Sequence, residues 1–567
     1  MDSKTGLFID DNRMYFWVPE FTSDPLDYND NEKAKIINNT VIPEKIINSS
    51  SAGNTYLGKF KNNEVIIKEG RNLVISSKGS AKKDVEREIH TINLMKNKII
   101  VPKIIKVFDE FNNKYVVEEK ISGVTLDIWC AKDYAEIKNN LSMVFKCIIR
   151  TIKSLHENGI VLQDVSPSNF LIKEVDGDIK NVIICDFGSA HHFNEKWSVS
   201  DGSTVGFYDS RSKKLNPFEQ DFHKIGYLFM SMIFPFNNLL MTDSTGDRTW
   251  ELFLMFCHEK NVSSDHIEII KKLIKTHLEI DMKIGDINTS ALPNKNNIKI
   301  LLDELLDNKL NKRHRINLNL MNREDTYEYI DTINDIGLNG GLSSIGMTLL
   351  LNKNICTEYH DYILSRIDRI IMESRNDAYL GIEKGILGSL LYKIIYSIRI
   401  SDEKKIQSHI SELIDFKYRL KYKNKKIAGM TTKSNNNIFS PYIMDGLSGY
   451  VILLYLFIDY SNISNRRKII NVINDCLDVI MKESWTKHAG IGYGLSGLLY
   501  TVLLAKDYYH DSKRLNNYIN RVYLVITKMV CFENKIIVHD RYNNDIDYSF
   551  TNGAKGILYL LNLNNRK

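Results

Sequence analysis

The stretch Leu155–Ile172 reads LHENGIVLQDVSPSNFLI, and the tripeptide Asp186–Gly188 (DFG) follows it closely. This stretch places the carboxylate of Asp164 five positions before the amide of Asn169, and Asp186 supplies a second carboxylate. Oxygen atoms of this kind are the ligands that Mg²⁺ takes beside phosphate groups. An acid, an amide and a second acid in this order predict a site for Mg²⁺ and a nucleoside triphosphate.

The order and spacing of the three residues are typical of the catalytic loop of kinases. In that chemistry one carboxylate orients the acceptor hydroxyl and takes its proton, while two other side chains hold the metal. We therefore expect Asp164 to be the catalytic carboxylate, and Asn169 and Asp186 to bind Mg²⁺. Each motif alone occurs by chance in many loops, so the interpretation depends on the ordered set.

Two upstream residues complete the predicted nucleotide site. Glu64–Glu69 reads as a short buried strand, and Lys68 stands where kinases carry the lysine that binds the α- and β-phosphates. Twenty residues further on, Glu88 lies in an amphipathic helical stretch, where a glutamate would hold Lys68 by an ion pair. Glu86 is the competing candidate, and we prefer Glu88.

The segment Ser49–Gly58 precedes the lysine where kinases carry a loop that covers the phosphates. Small residues there let backbone amides approach phosphate oxygens, and we expect Gly53 to contribute to nucleotide binding. A serine-rich hairpin without any ligand is the alternative interpretation. Further on, Tyr115–Lys120 reads as the strand that enters an adenine-binding hinge.

Three positions depart from the usual protein-kinase pattern. Leu162 and Gln163 stand where regulated kinases carry His-Arg, and without that arginine nothing pairs with a phosphate on the activation segment. We therefore predict no phosphorylation switch. Ser166 replaces the lysine that many Ser/Thr kinases place near the γ-phosphate. Asp221 resembles the buried aspartate that supports the catalytic loop, which is a structural role.

Bulk composition narrows the class of protein. The chain has 567 residues, 43% hydrophobic residues, 26% charged residues and a net charge of +5, which is typical of a folded protein of two to three domains without a nucleic-acid partner. No apolar run approaches the roughly 20 residues that a membrane span needs, and no signal peptide follows Met1. Seven unevenly spaced cysteines predict reduced thiols and a cytoplasmic location.

The chain divides into three segments by pattern. Residues 1–40 are polar and read as an N-terminal arm, residues 41–315 carry the kinase motifs, and residues 330–567 carry a repeat. The repeat is a Gly-x-x-Gly turn followed by an apolar run, and its copies begin at Gly341, Gly385, Gly446, Gly494 and Gly553, the first with Ser344 as its fourth residue. Amphipathic stretches between the copies predict a stacked or closed α/α array. A single irregular helical domain is the alternative.

A kinase followed by such repeats resembles the class III lanthipeptide synthetases, which join a lyase, a Ser/Thr kinase and a lanthionine-cyclase-like domain. The likeness rests on Asp164–Asn169 (DVSPSN), on the serine-containing loop that ends at Gly53, on Asp10–Glu20 and on the repeats. It implies an α+β bilobal protein-kinase-like domain followed by an all-α (α/α)n toroid-like, lanthionine-cyclase-like domain. Two departures stand out: there is no room for an N-terminal lyase, and five repeats are visible where the family closes a ring of seven.

The resemblance also bears on metal binding. Zinc-dependent lanthionine cyclases hold Zn²⁺ with two cysteines and a histidine, but the residues that precede the repeat glycines are Gly340, Lys384, Asp445, Tyr493 and Asn552. We therefore expect no zinc, and we interpret Cys257-His258 in the kinase half as coincidence. Asp445, His488 and Tyr493 are candidates for proton transfer, although a structural role is the better interpretation for each.

The resemblance implies an enzyme that phosphorylates Ser or Thr in a ribosomally made precursor peptide with a leader, using Mg²⁺ and ATP or GTP. Dehydration would follow, with phosphate eliminated by a separate lyase, and the helical domain would guide formation of a thioether ring. Two alternatives remain: a signalling Ser/Thr kinase with a helical protein-binding domain, and a degenerate kinase scaffold that recruits a lyase.

Overall fold

A computed structural model describes residues 37–76, 79–110, 112–132, 134–175, 178–235, 237–275, 293, 295–306, 323–350, 357–373, 378–416, 419–422, 425–434, 438–486, 488–532, 535–538 and 546–565. The predicted N-terminal arm lies outside these residues except for residues 37–40. The chain forms two compact units, and the first ends at Thr204. No helix in the described ranges combines the length and apolar character that crossing a bilayer requires.

The first unit opens with an antiparallel sheet. Its strands are β1 (Val41–Ser49), β2 (Asn54–Phe60), β3 (Asn63–Gly70), β6 (Ile104–Glu110) and β7 (Asn113–Glu119), with a small hairpin of β4 (Ile75–Ser76) and β5 (Gly79–Ser80) after β3. The order across the sheet is β1-β2-β3-β7-β6. Alternation along β3 buries Val65 and Ile67 in a core with Val41, Tyr115 and Val117, as expected for a sheet with one covered face.

Helix α1 (Ala81–Met95) packs on β3 and β7. Val85, Ile92 and Met95 recur at helical spacing and are buried, and Glu88 shares this face. The apolar pattern that docks the helix therefore also brings the Glu88 carboxylate over the strand that carries Lys68.

The rest of the first unit holds the catalytic loop between short strands. It comprises β8 (Val124–Thr125), α2 (Leu126–Cys130), α3 (Tyr134–Glu157), β9 (Ile160–Val161), β10 (Phe170–Val175), β11 (Asp178–Ile184) and β12 (His191–His192). β10 pairs with β11 and β8, and β9 pairs with β12. Asp164 and Asn169 lie between β9 and β10, and Asp186 lies just after β11, so the β10–β11 hairpin and the β9–β12 pair place all three.

The second unit is mainly helical. Its helices are α4 (Pro217–Ile233), α5 (Asp247–Lys260), α6 (Ser264–Ile274), α7 (Lys295–Leu306), α8 (Arg323–Asp331), α9 (Leu342–Leu350), α10 (Thr357–Glu373), α11 (Ile386–Arg399), α12 (Glu403–Ile414), α13 (Leu447–Phe457), α14 (Ile463–Ile480), α15 (Leu495–Ala505), α16 (Ser512–Val530) and α17 (Ala554–Asn565). Two hairpins depart from the all-α expectation: β13 (Arg419–Tyr422) with β14 (Lys425–Ala428), and β15 (Cys531–Phe532) with β16 (Lys535–Ile536). Both lie in connections between helices and leave the helical pattern intact.

The predicted repeat is an alternating array. The five Gly-x-x-Gly turns lead into α9, α11, α13, α15 and α17, and the longer helices α10, α12, α14 and α16 lie between them. Backbone hydrogen bonds join each turn to the next, from Glu383 N to Met444 O at 3.0 Å, from Met444 N to Gly492 O at 3.2 Å and from Gly492 N to Thr551 O at 2.6 Å. The turns therefore form one continuous array, which one irregular helical domain would not produce.

A steric clash explains why the fourth position of the turns is a glycine. A Cβ on Gly497 would overlap the carbonyl oxygen of Ile491, six residues earlier, and Gly388, Gly449 and Gly556 stand in the same relation to their own turns. The chain folds back on itself at this point, so only glycine lets the helix start that close.

The kinase motifs and the repeats are not divided where the sequence pattern changes. The break between the compact units falls inside the predicted kinase segment 41–315, because α4, α5 and α6 belong to the second unit. Helix α5 packs on α16, and the carboxylate of Glu259 accepts hydrogen bonds from the Trp485 indole at 2.8 Å and from Ser484 at 3.2 Å. The limits 1–40, 41–315 and 330–567 therefore stay a prediction about domains.

Candidate active site

Lys68 lies on β3 and its ammonium is surrounded by acceptors. It donates to Glu88 Oε1 at 2.5 Å and to the carbonyl of Cys185 at 2.6 Å, and Glu118 Oε2 lies 3.3 Å away. The structure thus brings Glu88 to Lys68. The competing residue Glu86 is exposed and lies 3.9 Å from Lys114 instead.

Burial and charge act against each other at this lysine. Burial alone would lower the pKa of Lys68, but Glu118, Glu88 and Asp186 raise it well above its usual value. Burial raises the pKa of Glu88 and of Glu118, against the pull of the Lys68 charge. Lys68 therefore stays cationic at neutral pH, as a residue that binds phosphate must.

Asp164 is held by hydrogen bonds on both oxygens. Thr204 donates to Oδ1 from its backbone nitrogen at 2.8 Å and from its hydroxyl at 2.7 Å, and Asn169 Nδ2 donates to Oδ2 at 3.0 Å. Burial raises the pKa of Asp164, and the hydrogen bonds from Thr204 and Asn169 oppose that rise. A fixed, half-buried carboxylate with a raised pKa suits a residue that takes a proton from a hydroxyl.

The donor set beside Asp164 fits Mg²⁺. The amide nitrogen of Asn169 donates hydrogen bonds to Asp164, and the amide oxygen of Asn169 can therefore act as a metal ligand. Asp186 is exposed and accepts one hydrogen bond, from the nitrogen of Gly188 at 2.8 Å. One amide oxygen and one carboxylate suit a hard cation that takes its remaining ligands from phosphate and water.

The turn that contains Gly53 packs tightly on β3. Ser50 N donates to Gly53 O at 3.1 Å, and Arg71 N donates to Ala52 O at 2.9 Å. A Cβ on Gly53 would overlap the carbonyl of Glu69, which lies next to Lys68. The glycine therefore has a structural cause, and its contribution to nucleotide binding stays a prediction.

Gln163 performs a role that sequence reasoning missed. Its side-chain nitrogen donates to the backbone carbonyls of Ser198 at 2.9 Å and Asp201 at 2.7 Å. The backbone carbonyl of Gln163 accepts from the Ser203 hydroxyl at 3.1 Å. The absence of arginine was visible in the sequence, but the partners of the glutamine lie more than thirty residues away. Neutral hydrogen bonds thus hold residues 198–204, the activation segment, which lies after Asp186–Gly188.

A second polar cluster joins three turns of the helical unit. Glu383 accepts a hydrogen bond from Asn339 Nδ2 at 2.8 Å and another from the Tyr493 hydroxyl. Of the three proton-transfer candidates, Tyr493 belongs to this cluster, while Asp445 accepts from the Ser440 hydroxyl in its own turn. Glu383 was missed, although it holds the same place, two residues before a repeat glycine, as Asn339.

Metal binding in the helical unit finds no further support. Across the described part of the chain, no group of three or more His, Cys, Asp or Glu side chains is arranged to hold a metal ion. Cys257 is buried in α5 whereas His258 is exposed, so the two do not face one site. The expectation of no zinc stays a prediction.

Comparison with known proteins agrees with this geometry. Residues 44–320 match the family described as protein kinase domain, and residues 254–566 match the family described as lanthionine synthetase C-like protein. A kinase domain is thus followed by a lanthionine synthetase C-like domain, as the sequence predicted. The second match covers more than half of the chain, and the chain belongs to the lanthionine synthetase C-like family.

Curated relatives match through the kinase part. The chain is 30% identical over 203 residues to serine/threonine-protein kinase PSK1 of Saccharomyces cerevisiae, which is 33% of this chain and 14% of that protein. It is 25% identical to calcium-dependent protein kinase 4 of Plasmodium berghei (40% of this chain, 46% of that one) and to serine/threonine-protein kinase D of Synechocystis (41% and 47%). The chain therefore spans less than half the length of each, and the likeness concerns the kinase domain.

Proposed function

We propose that this protein transfers the γ-phosphoryl group of ATP or GTP to Ser and Thr side chains of a ribosomal precursor peptide, ahead of thioether ring formation. The observation that carries the proposal is the joint placement of Asp164, Asn169 and Lys68 in a chain that continues into a lanthionine synthetase C-like array. Phosphate transfer alone would not explain why the same chain also carries this array.

The residues divide the chemistry as follows. Asp164 accepts the proton of the attacking hydroxyl, and Thr204 and Asn169 keep its carboxylate in place. Lys68 binds phosphate oxygens, and Glu88 keeps its ammonium in the site. Asn169 and Asp186 would hold Mg²⁺, which supplies charge neutralisation on the transferring phosphoryl group.

Phosphorylation prepares the peptide for dehydration, because phosphate is a better leaving group than hydroxide. A lyase that eliminates phosphate would act as a partner, and a leader would tether the precursor. The helical domain would then guide a cysteine thiol onto the dehydro residue without zinc. In the Asn339–Glu383–Tyr493 cluster, polar groups from three repeats of that domain meet.

We place this activity in the cytoplasm. Within the described residues, Cys130, Cys147, Cys185, Cys257 and Cys476 form no disulfide. Reduced cysteines in a chain of this size are typical of a reducing compartment.

Transfer is tested with the full chain, Mg²⁺, γ-labelled ATP and a serine- and cysteine-rich precursor peptide encoded beside its gene. We expect phosphate on Ser or Thr of the peptide, and its loss in Asp164→Asn, which keeps the size of the side chain but cannot take a proton. Ser200→Ala, on the exposed surface of the activation segment, is the matched control and should transfer normally. Exclusive labelling of folded proteins would favour a signalling kinase.

Ring formation is tested separately with a chemically dehydrated precursor. Alkylation of free thiols followed by mass spectrometry counts the rings. Tyr493→Phe should slow ring closure at least about tenfold if this hydroxyl supplies a proton, with phosphate transfer unchanged. Equal ring formation by both proteins would assign the cluster a structural role.

A further inference from the structure

Glu118 is a second buried carboxylate beside Lys68. It is 2% exposed and lies at the end of β7, with Oε2 3.3 Å from the Lys68 ammonium. In the described part of the chain its other oxygen, Oε1, is buried without a hydrogen-bond partner. Burying a carboxylate costs several kcal/mol of solvation free energy unless other interactions offset it. We therefore expect Glu118 to have a function beside Lys68.

The position of Glu118 is set by the sheet. β3 and β7 are paired so that Ile66 stands opposite Glu118 and Lys68 stands opposite Val116. Residues opposite each other, and those two further along, project from the same face of a sheet, and long side chains on the diagonal reach one another. The relation between Lys68 and Glu118 thus follows from backbone hydrogen bonds.

Glu88 reaches the same ammonium from a different element. It lies on α1, which packs over the sheet through apolar side chains and takes no part in the β3–β7 ladder. The Lys68 ammonium donates hydrogen bonds to Glu88 and to the carbonyl of Cys185, and it forms an ion pair with Glu118 at 3.3 Å. The lysine therefore has one carboxylate partner on a separate helix and one on its own sheet.

We propose that Glu118 is a positioning residue, a second anchor carried by the sheet that keeps the Lys68 ammonium in the nucleotide site whether or not α1 is in contact. Either carboxylate alone keeps the lysine charged and in place. With both removed, Asp186 alone remains of the three carboxylates that favour the charge on Lys68, and the buried ammonium loses its proton or leaves the site. The proposal rests on the proposed function only in taking the cluster around Lys68 as part of a site for MgATP.

A double-mutant cycle tests the proposal on the full chain. The dissociation constant of MgATP is measured by titration calorimetry for the wild type, Glu88→Gln, Glu118→Gln and the double variant. We expect each single variant to lie within about threefold of the wild type and the double variant to lose at least about thirtyfold, more than the product of the single losses. Losses that simply multiply, or a Glu118→Gln change without effect in either background, would overturn the proposal.

Glu86→Gln is the matched control, because it removes the same charge from the exposed face of α1, where Glu86 lies 3.9 Å from Lys114 and outside the Lys68 cluster. It should leave the dissociation constant unchanged in both backgrounds. The KM values of transfer add a readout that a purely structural role would not move: the KM for ATP should show the same coupling, and the KM for the peptide should not change.

The two proposals fail in different ways. A wild-type chain that binds MgATP but phosphorylates no peptide would contradict the proposed function, while the cycle still decides the role of Glu118. A wild-type chain that binds no MgATP overturns both.

Discussion

The side-chain nitrogen of Gln163 donates a hydrogen bond to the carbonyl of Asp201 at 2.7 Å. Gln163 immediately precedes Asp164, the proposed catalytic carboxylate, and the segment that it holds ends at Thr204, whose hydroxyl donates to Asp164. The glutamine thus links the loop that carries Asp164 to the segment that carries Thr204, and it does so through uncharged hydrogen bonds. The absence of a phosphorylation switch stays a prediction, and these neutral contacts are the physical basis for it.

Gln163→Glu should therefore lower the kcat of phosphate transfer by at least about tenfold, with the dissociation constant of MgATP unchanged. The substitution keeps the shape but replaces a donor by an acceptor that faces carbonyl oxygens, at a cost of roughly 1–3 kcal/mol. Steady-state kinetics measures the effect, and Ser200→Ala is the control. Loss of wild-type activity after phosphatase treatment would contradict the assignment, because it would reveal a phosphorylation switch.

Alanine substitutions at two adjacent residues of one repeat turn should have different effects on the stability of the helical unit. Gly497→Ala forces a Cβ onto the carbonyl of Ile491 and should destabilise the helical unit by about 1–3 kcal/mol. Ser496→Ala removes a buried hydroxyl that has no hydrogen-bond partner in the described residues, and should be neutral or stabilising. Urea unfolding followed by far-UV circular dichroism compares the two. Equal destabilisation would show that the turn can relax around the new methyl group.

The helical unit should lose stability as the pH falls from 6.5 towards 4. Burial lowers the pKa of His360 from 6.5 to about 4, and its ring nitrogen lies 2.7 Å from the Tyr392 hydroxyl. The unfolded chain binds a proton in this window and the folded chain does not, so the stability present above pH 6.5 is lost as acid is added. Melting temperatures against pH measure the effect. His360→Gln should flatten this part of the curve, and an unchanged slope would assign the acid sensitivity to other groups.

The joint between α5 and the repeats should depend on Trp485. Its indole nitrogen donates to Glu259, and its ring contacts Phe234 and Phe256 edge to face, at centroid distances of 5.8 and 5.4 Å. Trp485→Phe should cost about 1 kcal/mol through the lost hydrogen bond, and Trp485→Ala should cost more, because the ring contacts are lost as well. Hydrogen exchange of the α5 amides reports the change. Trp197→Phe, in the first unit, is the control and should leave α5 exchange as it is.

Much of the site could be predicted because its members are close in sequence or follow a fixed order. Asp164 and Asn169 are five residues apart on one loop, and their contact is local. Lys68 and Glu88 could be paired because each stands on an element with a clear apolar period. The repeat was visible because the same steric demand for glycine recurs in each turn.

The residues that were missed have their partners far along the chain. Gln163 meets Asp201, Glu383 meets Tyr493 and Glu118 meets Lys68 across separations of 38 to 110 residues. No periodicity in the chain marks such a pair, because each depends on how separate elements pack.

Sequence by itself determined the order of a kinase domain and a glycine-turn helical domain, and the identity of the residues that local spacing brings together. Only the tertiary structure decided that Lys68 has two carboxylate partners, that a glutamine orders the activation segment and that α5 joins the repeats. The physical reason is that burial and hydrogen bonding between distant elements depend on strand register and helix docking, which single-residue patterns do not encode.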